Sequence, residues 1–206
     1  MISIARKRAI PKKAMFLIVG LGNPGEKFKN SRHNAGFFAV DQMASRWLDC
    51  SMAELSRHFK LKKKLQARIL KLDAKRYSLA ADLFLIKPQT FMNKSGVSLK
   101  KIFQFFNLTI KQCSHLYIIH DDLDLSLGDY KIQFGRTAAG HKGVQSVIDH
   151  LGTKNFWRLR VGIENRPAKK IPGEKYVLQP FLPEEKESIR ETVGRVTEEI
   201  EKIIKK

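Results

Sequence analysis

Residues 16–19 (Phe-Leu-Ile-Val) form a short unbroken apolar run, followed at once by Gly20-Leu21-Gly22-Asn23-Pro24-Gly25. That order predicts a buried strand entering a tight turn. Over residues 35–48 the apolar positions Phe37, Val40, Met43, Ala44 and Trp47 recur at helical spacing. Residues 66–72 and 77–86 read as strands about a turn at 73–76, and Lys87-Pro88 ends the second because proline cannot donate to a ladder. Residues 91–106 read as a helix with Thr90 as its N-cap. A buried strand at 116–119 opens onto a polar loop, His120-Asp121-Asp122-Leu123-Asp124. Strands at 130–134 and 159–163 and helices at 143–151 and 183–204 complete the pattern; Ile189, Val193, Val196 and Ile200 make the last helix amphipathic. Strands alternating with helices predict an α/β fold, a single-domain three-layer α/β/α sandwich around a twisted mixed β-sheet. Ligands in such sheets sit beyond the carboxyl ends of strands. The two most polar strand-end segments here are 20–34 and 120–124.

Composition adds one strong constraint. The 206 residues carry 39 Lys plus Arg against 20 Asp plus Glu, a formal charge of +19. The excess is uneven, with 18 basic and 5 acidic side chains in residues 1–76 but 6 and 7 in residues 183–206. Solubility needs far less, so a basic surface over part of one fold points to a polyanion partner, most often nucleic acid. Cys50 and Cys113 form no C-x-x-C and no metal spacing, which suits a reducing, cytoplasmic compartment. No apolar run reaches the length of a membrane span. Residues 1–14 are basic without a continuous apolar core, and read as a disordered arm or as the product of an upstream start codon, with residues 15–206 as the folded unit.

The glycine turn fits G-x-G-x-x-G, yet its setting argues against a dinucleotide site. Pro24 removes an N–H where a pyrophosphate needs one, and residues 26–31 show no apolar helical periodicity. Chemistry is better sought in three clusters: Asn23 with Arg32-His33-Asn34, residues 90–96, and residues 120–124. His33 becomes a general base if a carboxylate orients it, and Asp121 at a strand end is the natural partner. Asp121, Asp122 and Asp124 also suit a solvated turn or a Mg²⁺ site, although no second carboxylate cluster supports a metal. Asn23 and Asn93 offer amide groups for a peptide backbone, a water or an oxyanion. With no nucleophile elbow and no cysteine in these clusters, water is the expected nucleophile and no cofactor is expected.

The ordered segments Gly20–Gly25, Ser31-Arg32-His33-Asn34-Ala35-Gly36, Lys87-Pro88-Gln89-Thr90-Phe91-Met92-Asn93-Lys94-Ser95-Gly96, His120–Leu125, Gly140-His141-Lys142-Gly143 and residues 156–163 together resemble bacterial-type peptidyl-tRNA hydrolase from Met15 onward. The resemblance implies a monomer with no obligate protein partner that cleaves the ester between a peptide and the terminal ribose of tRNA. It implies His33 as general base, Asp121 as its orienting partner, Asn93 near the reacting carbonyl and Asn23 on the peptide. It places Phe28, Phe91, Met92, His141, Lys142, Lys131, Arg136 and Arg160 in substrate and tRNA binding. The chain departs from the family pattern at Lys142, where asparagine is usual, at Phe28 for tyrosine and at Gln133 for lysine. The expectation is a rearranged phosphate clamp in which Arg136 or Lys142 restores the charge that Gln133 lacks. A non-catalytic RNA-binding relative and a metal-dependent nuclease are the alternatives.

Overall fold

A computed structural model describes residues 15–109, 115–167 and 170–205. The expected arm at residues 1–14 and Cys113 lie outside them. In chain order the main elements are β1 (Met15–Gly20), α1 (Ala35–Leu48), α2 (Leu55–His58), β2 (Lys60–Lys62), β3 (Ala67–Leu72), β4 (Asp82–Pro88), α3 (Ser95–Phe105), β5 (Leu116–Ser126), β6 (Tyr130–Phe134), α4 (Lys142–Leu151), β7 (Trp157–Glu164), α5 (Gly173–Tyr176) and α6 (Glu185–Ile204). The seven strands form one mixed sheet in the order β2-β3-β4-β1-β5-β7-β6. The four central strands run parallel, and β3 and β6 run antiparallel to their neighbours.

Two cores flank this sheet. On one side Ala39, Val40 and Met43 of α1 and Val193, Val196 and Ile200 of α6 cover alternate residues of the central strands, such as Phe16, Ile18 and Leu83. On the other, Leu99 and Ile102 of α3 and Val144 and Val147 of α4 cover Leu17, Val19 and Ile118. Each such side chain contributes about 1.5–3 kcal/mol when fully buried, and the period of two along β1 assigns its residues to opposite faces. The predicted three-layer α/β/α sandwich is the observed one.

Close backbone approach fixes two junctions near the strand ends. A Cβ on Gly20 would lie 2.1 Å from the Gly36 carbonyl oxygen, and one on Gly96 would lie 1.9 Å from that of Ser146. Glycine at these positions lets α1 sit on the end of β1 and lets α3 cross α4.

Three local expectations need correction. Residues 120–124 are not a loop but the second half of β5, because Asp121 and Asp122 pair with Val161 and Gly162 of β7. Residues 77–81 precede β4 rather than belonging to it, with Ser78 at φ 52° in the turn. Thr90 does not cap a helix: its Oγ1 is buried without a partner, Phe91 is extended, and residues Met92–Lys94 form a 3₁₀ turn ahead of α3. Ser95 Oγ donates to the Met92 carbonyl across that turn instead.

Candidate active site

The glycine turn after β1 is joined to the loop bearing His33 by a reciprocal amide clamp. The Asn23 N–H donates to Asn34 Oδ1 at 2.7 Å, and Asn34 Nδ2 donates back to the Asn23 carbonyl at 3.0 Å. The Asn23 side chain turns the other way, and its Oδ1 accepts from the Met92 N–H at 2.8 Å. That bond fixes the orientation of the amide, so Nδ2 is the group Asn23 presents as a donor.

His33 sits in the 3₁₀ turn Arg32–Asn34. Its N–H donates to the Val177 carbonyl at 2.8 Å, and the preceding N–H of Arg32 donates to the Gln179 carbonyl at 3.0 Å. The Arg32 guanidinium reaches the Glu185 carboxylate at 2.5 Å in a buried pair, and stacks 4.1 Å from the Tyr176 ring centroid. The stretch between α5 and α6 is thus fastened to the turn carrying His33. Removing one partner of a buried ion pair leaves the other charge desolvated. Arg32→Met is therefore expected to lower unfolding stability by about 3–5 kcal/mol, measurable by urea titration.

Asp121 is the centre of the charge arrangement. It is 2% exposed, and both of its oxygens lie 2.9 Å from His33 Nδ1. Its Oδ1 also lies 3.0 Å from His141 Nε2. His141 is the N-cap of α4, and its Nδ1 accepts from the N–H groups of Gly143 and Val144 at 3.2 Å. A nitrogen facing two N–H donors holds a lone pair, so the His141 proton is on Nε2 and points at Asp121. Burial alone would raise the Asp121 carboxyl; the adjacent imidazoles of His33 and His141 outweigh it and hold the group below the usual carboxylate range. A carboxylate thus faces His33 Nδ1, which carries its proton there and leaves Nε2 as the acceptor. Behind them, His120 Nδ1 donates to the Asp121 carbonyl at 2.7 Å. Burial above all, with the neighbouring His141 imidazole, pushes His120 down to about 3, so it is neutral at ordinary pH.

These groups open onto a cleft of about 480 Å³ at the carboxyl ends of β1 and β5. Of the residues expected from sequence, Asn23, His33, Met92, Asn93, Asp121, His141 and Lys142 line it. Phe28, Phe91, Lys131, Arg136 and Arg160 lie outside its lining. Phe28 and Phe91 meet edge to face at 6.4 Å, with Phe91 58% exposed. The Arg160 guanidinium is committed elsewhere: Nε donates to Asp122, Nη1 donates to Gln133 Oε1 at 3.0 Å, and Nη2 lies 3.6 Å from Asp124. Gln133, where the sequence resemblance leads one to expect a lysine, thus accepts from Arg160. Gly173, Val177 and Leu178 also line the cleft, and sequence patterning did not single them out. Their only sequence signal was apolar residues in a segment with no period.

The three carboxylates do not gather into a cation site. Asp122 binds Arg160 and accepts the Asp124 N–H at 2.9 Å, while Asp121 binds two imidazoles. His33, Asp121 and His141 do bring possible ligand atoms within 4.8 Å of one another. A cation there would need the His141 Nε2 lone pair, which would move its proton to Nδ1, against two backbone N–H groups. The donor set suits proton transfer better than metal binding.

Comparison with known proteins converges on one family. The family model described as peptidyl-tRNA hydrolase matches residues 17–206. The chain is 39% identical over 191 residues to a peptidyl-tRNA hydrolase of Thermodesulfovibrio yellowstonii, covering 92% of each chain. It is 40% identical over 195 residues to one from Halalkalibacterium halodurans, covering 93% of this chain and 95% of that one. A solved peptidyl-tRNA hydrolase from Acinetobacter baumannii superposes with a TM-score of 0.76 at 27% identity, over 95% of this chain and 90% of that one. With its fold and near-complete sequence span shared in this way, the chain belongs to the peptidyl-tRNA hydrolase family.

Proposed function

We propose that the cleft hydrolyses peptidyl-tRNA, cleaving the ester between the peptide and the terminal ribose and so returning free tRNA. The observation that carries this is the arrangement around Asp121, which leaves His33 with an acceptor nitrogen facing the cleft. His33 Nε2 takes a proton from water as the water oxygen attacks the ester carbonyl. The resulting oxyanion is stabilised by an amide donor, for which Asn93 stands in the cleft lining. The intermediate then expels the ribose oxygen, which receives the proton from His33, leaving free tRNA and a peptide carboxylic acid that loses its proton to solvent. Asp121 supports the charge that His33 holds between these steps. Asn23 Nδ2 is the donor for a peptide carbonyl, and Phe28, Phe91 and Met92 offer apolar contact to the chain. No metal or organic cofactor takes part, and the protein acts as a cytoplasmic monomer on peptidyl-tRNA without an obligate protein partner.

The test is release of a blocked aminoacyl group from tRNA with EDTA present, against a free aminoacyl-tRNA that should be spared. Inactivity with peptidyl-tRNA, or activity abolished by EDTA, would favour the RNA-binding or metal-nuclease alternatives respectively.

Lys142 is the departure with most consequence for substrate grip. It is exposed at the first turn of α4 and lines the cleft, and Arg136 is exposed in the preceding loop. Lys131 is exposed on β6, and Arg160 orders that edge through Asp122 and Gln133. For Lys142→Asn the expected result is a several-fold rise in KM for peptidyl-tRNA. The slope of log KM against log salt should flatten by about one unit, as for loss of one phosphate contact. An unchanged KM and slope would remove Lys142 from the clamp.

A further inference from the structure

The edge of the sheet at β2 carries a second concentration of charge, distinct from the lysines and arginines assigned to the substrate clamp. Between Leu55 and Leu72, and again between Leu83 and His120, the chain contains no Asp or Glu. The first stretch builds β2, β3 and the 3₁₀ turn Lys63–Leu65; the second builds β4, the cleft residues Met92 and Asn93, and α3. Lys60, Lys62, Lys63, Lys64 and Lys94 are all exposed, and none forms an ion pair among the described residues. Three exposed cations on or just past α6 are paired instead: Arg190 with Glu187, Lys202 with Glu199 and Lys205 with Glu201.

Topology brings this patch to the cleft end of the sheet. β2 runs antiparallel to β3, β3 antiparallel to β4, and β4 parallel to β1. The carboxyl end of β2, with Lys62 followed by Lys63 and Lys64, therefore points the same way as the carboxyl ends of β1 and β5. Lys60 and Lys62 pair with Ile69 and Ala67, whose side chains belong to the core beneath α3. Two contacts tie the turn to the site: Gln89 N–H donates to the Gln66 carbonyl at 2.6 Å, and Ser98 Oγ donates to the Leu65 carbonyl at 2.9 Å. Three strand spacings separate β2 from β1, about 14 Å. Exposed Lys94 follows cleft-lining Asn93 in the 3₁₀ turn Met92–Lys94.

We propose that this flank is a second RNA track, which holds backbone phosphates of the tRNA whose terminal ester lies in the cleft. The proposal rests on peptidyl-tRNA being the substrate. Unpaired lysines displayed along an edge suit a phosphate backbone, because each contact releases condensed counterions without reading sequence. The same lysines also guard β2 against pairing with another strand, a role that needs no RNA and is separated from the proposal by experiment.

The test uses the full chain with Lys60→Gln, Lys62→Gln, Lys63→Gln and Lys64→Gln combined. A control carries the same change of charge on α6, as Lys186→Gln, Arg190→Gln, Lys202→Gln and Lys205→Gln. Binding of intact peptidyl-tRNA is measured in a His33→Ala background. The patch variant should bind about tenfold more weakly near 0.1 M salt, with a log–log salt slope flatter by about two to four units. The control should change far less. Cleavage of the same peptide ester on a single adenosine, which has no acceptor stem, should be equal in the patch variant and the parent. Equal weakening in both variants, or none in the patch variant, overturns the proposal. So does loss of binding to phosphatidylglycerol vesicles with tRNA affinity intact. Failure of the parent to cleave peptidyl-tRNA is a separate outcome, and would overturn the functional proposal on which this one rests.

Discussion

His33→Ala is expected to abolish hydrolysis of peptidyl-tRNA, lowering kcat by about 10²–10⁴ while leaving the fold intact. The side chain is 13% exposed on its face of the cleft, and its backbone N–H bond to Val177 does not depend on the imidazole. Truncation therefore removes the proton acceptor without loosening the turn. Binding of peptidyl-tRNA should persist, because the lysines and arginines proposed to hold phosphates are not among the partners of His33. Single-turnover kinetics distinguish the two quantities: the chemical step should collapse while the dissociation constant moves little. Retained single-turnover rate would exclude His33 as the base.

Asp121→Asn is expected to cost a comparable factor by a different route. Asparagine is nearly isosteric, but it presents one acceptor and one donor in place of two acceptors. The His141 Nε2 proton is fixed by the backbone N–H groups on its other nitrogen, so it claims the amide oxygen. The amide NH₂ then replaces the other oxygen 2.9 Å from His33 Nδ1, which favours the tautomer with an acceptor there and the proton on Nε2. The catalytic lone pair is lost although no atom has moved far. An activity loss of about 10²–10⁴ should follow, read in kcat rather than KM. The charge also has a signature in stability. Because the folded-state carboxyl is held below its unfolded value, Asp121 contributes stability that is present above about pH 4 and fades as pH falls further. The stability difference between wild type and Asp121→Asn should therefore narrow on acidification below about pH 4 in urea titrations at several pH values.

The elements whose side chains obey one period were legible in the sequence. The apolar spacing of residues 35–48 gave α1 with its observed bounds, and the alternation in residues 130–134 gave β6. Residues 120–124 misled because polarity was equated with solvent. In β5 the buried carboxylates Asp121 and Asp122 are satisfied by His33, His141, Arg160 and the Asp124 N–H, and the backbone there remains paired in the sheet. The His33–Asp121 pairing was inferable, since a strand-end carboxylate is delivered to a polar loop. The His141 tautomer was not, because it follows from cap geometry at α4, which exists only after folding. Nor was the fastening of residues 173–185 to Arg32 and His33, which depends on backbone carbonyls that carry no residue-type signal.

That fastening also sets a schedule for the protein's own synthesis. Arg32 and Glu185 are 153 residues apart in the chain. At about 5–20 residues per second, the ribosome needs about 8–30 s to make the second after the first. Until then the Arg32 side chain lacks its buried counterion, and the carbonyls of Val177 and Gln179 arrive only shortly before it. A nascent or truncated copy that ends before α5 has its sheet and its histidine, yet neither those carbonyls nor Glu185 to hold the turn. The fastening of this turn is therefore complete only once the start of α6 has been made. An incomplete copy, itself attached to tRNA through the bond this family cleaves, is not yet equipped to cut itself free.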